Sequence, residues 1–236
     1  MQMCLALLRR ALNPVKGFRD RALEAPTLGQ SVKGLLIARG PLALLAMVLS
    51  YVGFEELFGR ITRMEGPLFE YLWANLPDTV NPADVREAFQ GLPPLPTLSH
   101  VLPWLVLLAP VGVLSLWLHD AVWDHACLWL LRGLKGRKSF RLTLLADAEA
   151  LTVGAIGSAL SLLGDLPGVG CLFSVLLIPV GIYFWLLRGF ALAAWHGCPT
   201  WKGVVATLLH ALLAALFGLG ILGAFLVLVL QELRPS

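Results

Sequence analysis

Residues 101–134 run almost without charge, and inside that run stand His119, Asp120, Asp124 and His125. A stretch of this length suits a membrane helix. At 1.5 Å per residue it reaches about 50 Å, against a hydrocarbon core of about 30 Å, so it tilts, bends at Pro110 or protrudes. An ionised Asp at the centre of such a helix costs roughly 2.5–3.5 kcal/mol on insertion scales. Asp120 and Asp124 therefore need partners or a purpose.

The remainder of the 236-residue chain is of the same kind. Hydrophobic residues make up 58% and charged residues 14%, against about 25% charged in soluble domains. The formal charge of +3 is small, and no basic stripe points to nucleic acid. Cys4, Cys127, Cys171 and Cys198 lack a paired spacing, which gives neither a disulfide framework nor a thiolate zinc site. Arg9 and Arg10 follow the apolar residues of the N-terminus, the reverse of a secretory signal.

Hydropathy divides the chain into a cytoplasmic amphipathic segment (1–33), a single membrane domain (34–230) and an external tail (231–236). Five spans are expected, at about 34–54, within 101–134, and at about 148–163, 169–195 and 204–230. Asn13-Pro14 is a helix start, with Asn as N-cap and Pro at the first helical position; Val15, Phe18 and Ala22 follow on one face. The acidic loop 55–100 carries a second such start, Asn81-Pro82. It also has Phe69, Leu72, Trp73 and Leu76 at helical spacing, so one or two short interfacial helices are expected there. Lys and Arg concentrate before the first span, in 132–141 and at Lys202, whereas the alternate loops are acidic. The positive-inside rule then predicts an all-α five-helix bundle with a cytoplasmic N-terminus and an external C-terminus. Gly154 with Ser158, Ala155 with Ala159, Gly157 with Ser161, Ala214 with Gly218 and Gly220 with Ala224 lie four apart. They read as packing seams within the bundle or between protomers of a homo-oligomer.

The string Gly133-Leu134-Lys135-Gly136-Arg137-Lys138-Ser139-Phe140, with Thr143 after it, resembles the cytoplasmic loop of the Ypt-interacting-protein (Yip) domain family. Leu166-Pro167-Gly168-Val169-Gly170 is similar to that family's short Pro/Gly turn, Trp185 to its Trp in the fourth span, and His196-Gly197 to the His-Gly that ends it. Asn13-Pro14 with Phe18 is similar to its N-terminal element. The resemblance covers roughly residues 13–230. The family's Tyr and Pro at the entry to the third span are replaced here by 145–151, Leu-Ala-Asp-Ala-Glu-Ala-Leu, and its paired glycine is split into Gly133 and Gly136. With 33 residues before the first span, the chain looks like the prokaryotic branch. The resemblance implies a non-enzymatic protein of the bacterial cytoplasmic (inner) membrane that acts in membrane organisation or trafficking-like scaffolding. Gly133, Lys135, Gly136, Arg137, Lys138, Ser139 and Phe140 would face protein partners or anionic lipid.

The topology gathers Arg39, Asp120, Asp124, Asp147, Glu149, Arg188, His196 and His210 in or near the cytoplasmic half. Asp120 and Asp124 share one helix face, with His119 and His125 to either side. Three readings stay open. Arg39 and Arg188 can neutralise the carboxylates internally while the histidines bond to backbone carbonyls. His119, Asp120, Asp124, His125 and Glu149 can hold a divalent transition metal, though no cofactor is required. Alternatively the cluster lines a transport path for a small solute, ion or lipid, with helices bending at Pro110 or Pro179. There is no Gly-x-Ser-x-Gly, no His-Glu-x-x-His and no phosphate-cradling glycine loop, so no enzyme is expected.

Overall fold

A computed structural model describes residues 2–75, 81–135, 137–162 and 170–232. Among them are nine α-helices and no strand: α1 (Gln2–Leu12), α2 (Pro14–Leu23), α3 (Leu28–Arg63), α4 (Pro67–Ala74), α5 (Pro82–Gln90), α6 (Leu98–Leu130), α7 (Phe140–Ser161), α8 (Gly170–His196) and α9 (Thr200–Glu232). Five of these, α3, α6, α7, α8 and α9, are long and apolar enough to cross a bilayer. Expected features at Leu76, in the 163–169 turn with Asp165, and at 233–236 lie outside the described residues, as does Gly136.

Helix boundaries follow local cap chemistry. Asn13 accepts a hydrogen bond from the Lys16 amide at 3.3 Å and Asn81 one from the Ala83 amide at 3.1 Å, each with Pro next in the chain. α3 begins six residues before its expected start because Thr27 and Gln30 form a reciprocal capping box, Thr27 N to Gln30 Oε1 at 2.9 Å and Gln30 N to Thr27 Oγ1 at 3.2 Å. It continues to Arg63 with Pro41 inside it. α8 stops at Gly197, whose φ of +64° suits glycine, and the Cys198 amide closes the last turn on the Ala193 carbonyl at 3.1 Å. α1 is an element the hydropathy reading did not foresee; Leu7 and Ala11 are its buried residues.

The chain forms two compact units. Ala43–Val111 holds the far part of α3, all of α4 and α5, and the start of α6. In it Phe69 meets Phe89 edge-on with ring centroids 6.0 Å apart, and the Tyr51 hydroxyl donates to the Pro96 carbonyl. The other unit, Met1–Leu42 with Gly112–Ser236, carries every polar group discussed below.

That larger unit is organised around α7, which is buried continuously from Leu145 to Ala155. A core of Phe18, Leu128, Leu187, Leu192, Trp195 and Ala206 joins α2, α6, α8 and α9 to it. α8 and α9 approach backbone to backbone. A Cβ added at Gly189 would lie 2.6 Å from Val204 Cα, and one at Gly203 would collide with the Gly189 carbonyl. Ala214, Gly218, Gly220 and Ala224 are instead exposed on α9 beside Leu212, Leu216, Phe217 and Phe225. An outer face of that composition suits lipid.

Candidate functional site

The ionisable residues of the spans do not form one cluster. They divide into three groups and one isolated arginine, because neighbours in sequence point to different sides of a helix. Asp147 and Glu149 are two positions apart on α7, about 200° round the axis. His125 follows Asp124 by about 100°.

The central group surrounds Arg188 of α8. Its Nη1 lies 3.0 Å from Asp120 Oδ2, and its Nη2 and Nε donate to Asp124 Oδ2 at 2.7 and 3.1 Å. Asp124 Oδ1 accepts from Nδ1 of His210 on α9 at 2.8 Å. Trp123 stacks on the His210 ring at 6.1 Å, and His119 Nδ1 stands 3.5 Å from Asp120. Asp147 stands 3.7 Å from Arg188 Nε. Both its oxygens are buried without a hydrogen-bond partner among the described residues. Three carboxylates thus share one guanidinium.

Glu149 belongs to a second group that ties the N-terminal helices to the bundle. It accepts from Arg10 of α1 at 2.8 Å, from Arg21 of α2 at 2.9 Å and from the Ser31 hydroxyl of α3 at 2.7 Å. Arg21 also reaches Glu24 at 2.6 Å. Burial pulls the Arg21 pKa down, but the two glutamates outweigh it and leave the guanidinium above its ordinary value. The sequence reading did not place Arg10 or Arg21 in the polar cluster. Arg10 follows the apolar positions of α1, an amphipathic pattern that could have identified it.

The third group is a directional chain of hydrogen bonds. The Arg137 carbonyl can only accept, so His196 donates to it from Nδ1 at 2.6 Å. In the neutral ring Nε2 accepts from the Thr143 hydroxyl at 2.9 Å, and the Thr143 oxygen accepts from His125 Nδ1 at 2.7 Å. Thr143 and His196 are buried, while Arg137, Lys138, Ser139 and Arg141 are exposed. Gly133 opens a single 3-10 turn over Gly133–Lys135, where a Cβ would lie 2.8 Å from Leu128 Cγ. Phe140 packs edge-on to His125 at 5.2 Å. Lys202 donates to the Arg132 carbonyl at 3.2 Å. Both His196 nitrogens are therefore engaged, and burial pushes the nearby Cys198 thiol up.

Arg39 stands apart. Its Nη2 donates to Ser158 at 2.9 Å, and its Nε is buried without a partner among the described residues. It lines a cavity of about 370 Å³ shared with Asp120, Arg188, Ser158, Phe184 and Trp185.

Of the five expected metal ligands, His125 and Glu149 are taken up in the third and second groups. The donor atoms that do converge, within 4.8 Å of one another, are those of His119, Asp120 and His210. Arg188 lies against Asp120 and His210, and its charge opposes a cation at that point. Of the groups in the internal-neutralisation reading, Arg188 faces Asp120, Asp124 and Asp147, whereas Arg39 meets Ser158 and Glu149 meets Arg10 and Arg21.

Comparison with known proteins gives no match to a family model, to a curated protein or to a solved structure.

Proposed function

We propose that this chain is a non-enzymatic integral membrane protein of the Yip type, which presents its Gly133–Phe140 loop to anionic lipid on the cytoplasmic side. One observation carries the proposal: buried His196, itself braced by the buried Thr143 hydroxyl, holds the loop backbone at the Arg137 carbonyl while the Arg137 and Lys138 side chains stand exposed. A backbone anchored at that point holds the neighbouring charges at the surface. Three residues on which the Yip resemblance rests, Phe140, Thr143 and His196, also meet in space around His125. The loop, the α8–α9 turn and the N-terminal helices lie at the same end of the larger unit. Their shared positive charge favours the cytoplasm at that end, in a bacterial cytoplasmic membrane.

Each basic residue near an anionic surface contributes about 1 kcal/mol, so three together amount to roughly a hundredfold in affinity. Protein in phosphatidylcholine nanodiscs is expected to co-float with vesicles containing phosphatidylglycerol, but not with pure phosphatidylcholine vesicles. The triple charge reversal Lys135→Glu, Arg137→Glu, Lys138→Glu should abolish co-flotation while cysteine labelling reports unchanged topology. Co-flotation that survives the reversal would refute the proposal.

A second reading, transport, is favoured by the cavity beside Asp120. It predicts proton flux into pyranine-loaded proteoliposomes that falls in Asp120→Asn. Equal flux with and without protein counts against it.

A further inference from the structure

We infer that the cavity between α3, α6, α7 and α8 is a binding site for an oxyanion, with Arg39 as the residue that recognises it. Among the arginines that face the interior of the larger unit, Arg39 is the one with no carboxylate in ion-pair contact among the described residues. Arg188 meets three carboxylates, and Arg10 and Arg21 share Glu149, whereas Arg39 has one neutral hydroxyl, Ser158, and leaves its Nε donor buried and unused among the described residues. A guanidinium withdrawn from water is stabilised by a group that accepts two parallel hydrogen bonds, which a phosphate or carboxylate does.

The cavity has the room for such a group. Its volume of about 370 Å³ falls in the range of small-ligand pockets, about 300–1,000 Å³. Asp120, the one acid on its wall, does not bar an anion, because its carboxylate is committed to Arg188 at 3.0 Å. Leu116, Leu151, Phe184 and Trp185 make up an apolar wall against which hydrocarbon attached to the oxyanion can lie. The chemistry fits the phosphate of a lipid head group and equally a free phosphate. The inference does not depend on the basic loop or on transport.

Gly181 supplies a control. It lines the cavity, and a Cβ there meets nothing within 4 Å, so Gly181→Leu is accommodated and adds bulk at the cavity wall while Arg39 remains. Leucine also favours the helix over glycine. Arg39→Gln removes the charge and keeps a group able to bond Ser158.

The test is the Tm of the full chain in an uncharged maltoside detergent, because a ligand that binds the folded state raises it by mass action. Dioleoyl phosphatidate, sodium phosphate and dioleoylglycerol are the probes. Phosphatidate is expected to raise the Tm of the wild type by several degrees, and to leave Arg39→Gln and Gly181→Leu unchanged. A matching rise with sodium phosphate assigns the site to free phosphate; a rise with phosphatidate alone assigns it to lipid. The inference is overturned if neither phosphate compound shifts the wild type. A shift that persists in either variant, or one that dioleoylglycerol reproduces, overturns it as well. Should Arg39→Gln fail to fold, Gly181→Leu decides the matter.

Discussion

Asp124 and Asp147 face the same guanidinium from opposite energetic positions. Asp124 accepts two hydrogen bonds from Arg188 and one from His210, so Asp124→Asn strands charge on buried donors. It should destabilise the bundle by about 3–5 kcal/mol, read as a lowered denaturation midpoint in detergent. Asp147 makes no hydrogen bond among the described residues, and Arg188 keeps Asp120 and Asp124 without it. Asp147→Asn should therefore change stability by less than about 1 kcal/mol or raise it, in the same assay. Equal losses in the two variants would mean that all three carboxylates hold Arg188 alike. Asp120 and Asp124 were legible in the sequence because charge in an apolar run identifies itself. Arg188 was named there beside Arg39, but the choice between the two was not legible, since it depends on how α8 is rotated, and Arg39 is as apolar in its surroundings as Arg188. Grouping Glu149 with Asp147 rested on depth alone and ignored the turn between them.

At the scale of elements, the most demanding contact is the crossing of α8 and α9. Ala193 lies four residues after Gly189, and Thr207 four after Gly203, so each helix turns a small-residue face toward the other. Gly203→Ala drives a methyl group into the Gly189 carbonyl and should cost about 1–3 kcal/mol. Gly218→Ala, on the open face of α9, should cost nothing and slightly favour the helix. Denaturation midpoints of the two variants give the comparison, and a tolerated Gly203→Ala would show that the helices can separate freely. Span number and order were readable from hydropathy, as were the caps at Asn13 and Asn81. The α8–α9 seam carried the same four-residue signal as those named on the third and fifth spans. Spacing shows that a face is narrow; only the neighbouring helix shows whether it is used. The early start of α3 was written in Thr27 and Gln30, a local signal masked by the hydropathy window.

Across the whole molecule, Glu149 is the joint between the N-terminal helices and the spans. Glu149→Gln leaves Arg10 and Ser31 without a charged acceptor and Arg21 with Glu24 alone, so α1 and α2 should open more often while the spans stay folded. A loss of about 3 kcal/mol at this joint corresponds to roughly 100-fold faster amide exchange in α1 and α2. Unchanged exchange there would mean that the apolar contacts of Leu7, Ala11 and Phe18 suffice. The joint also constrains the order in which the protein can be made. Arg10 precedes Glu149 by 139 residues and Arg21 precedes it by 128, so at roughly 5–20 residues per second both arginines wait about 6–28 s on the ribosome for their acceptor. Until α7 emerges Arg10 lacks its carboxylate and Arg21 has Glu24 alone, so the ionic docking of the N-terminal helices follows the making of the third span and cannot precede it.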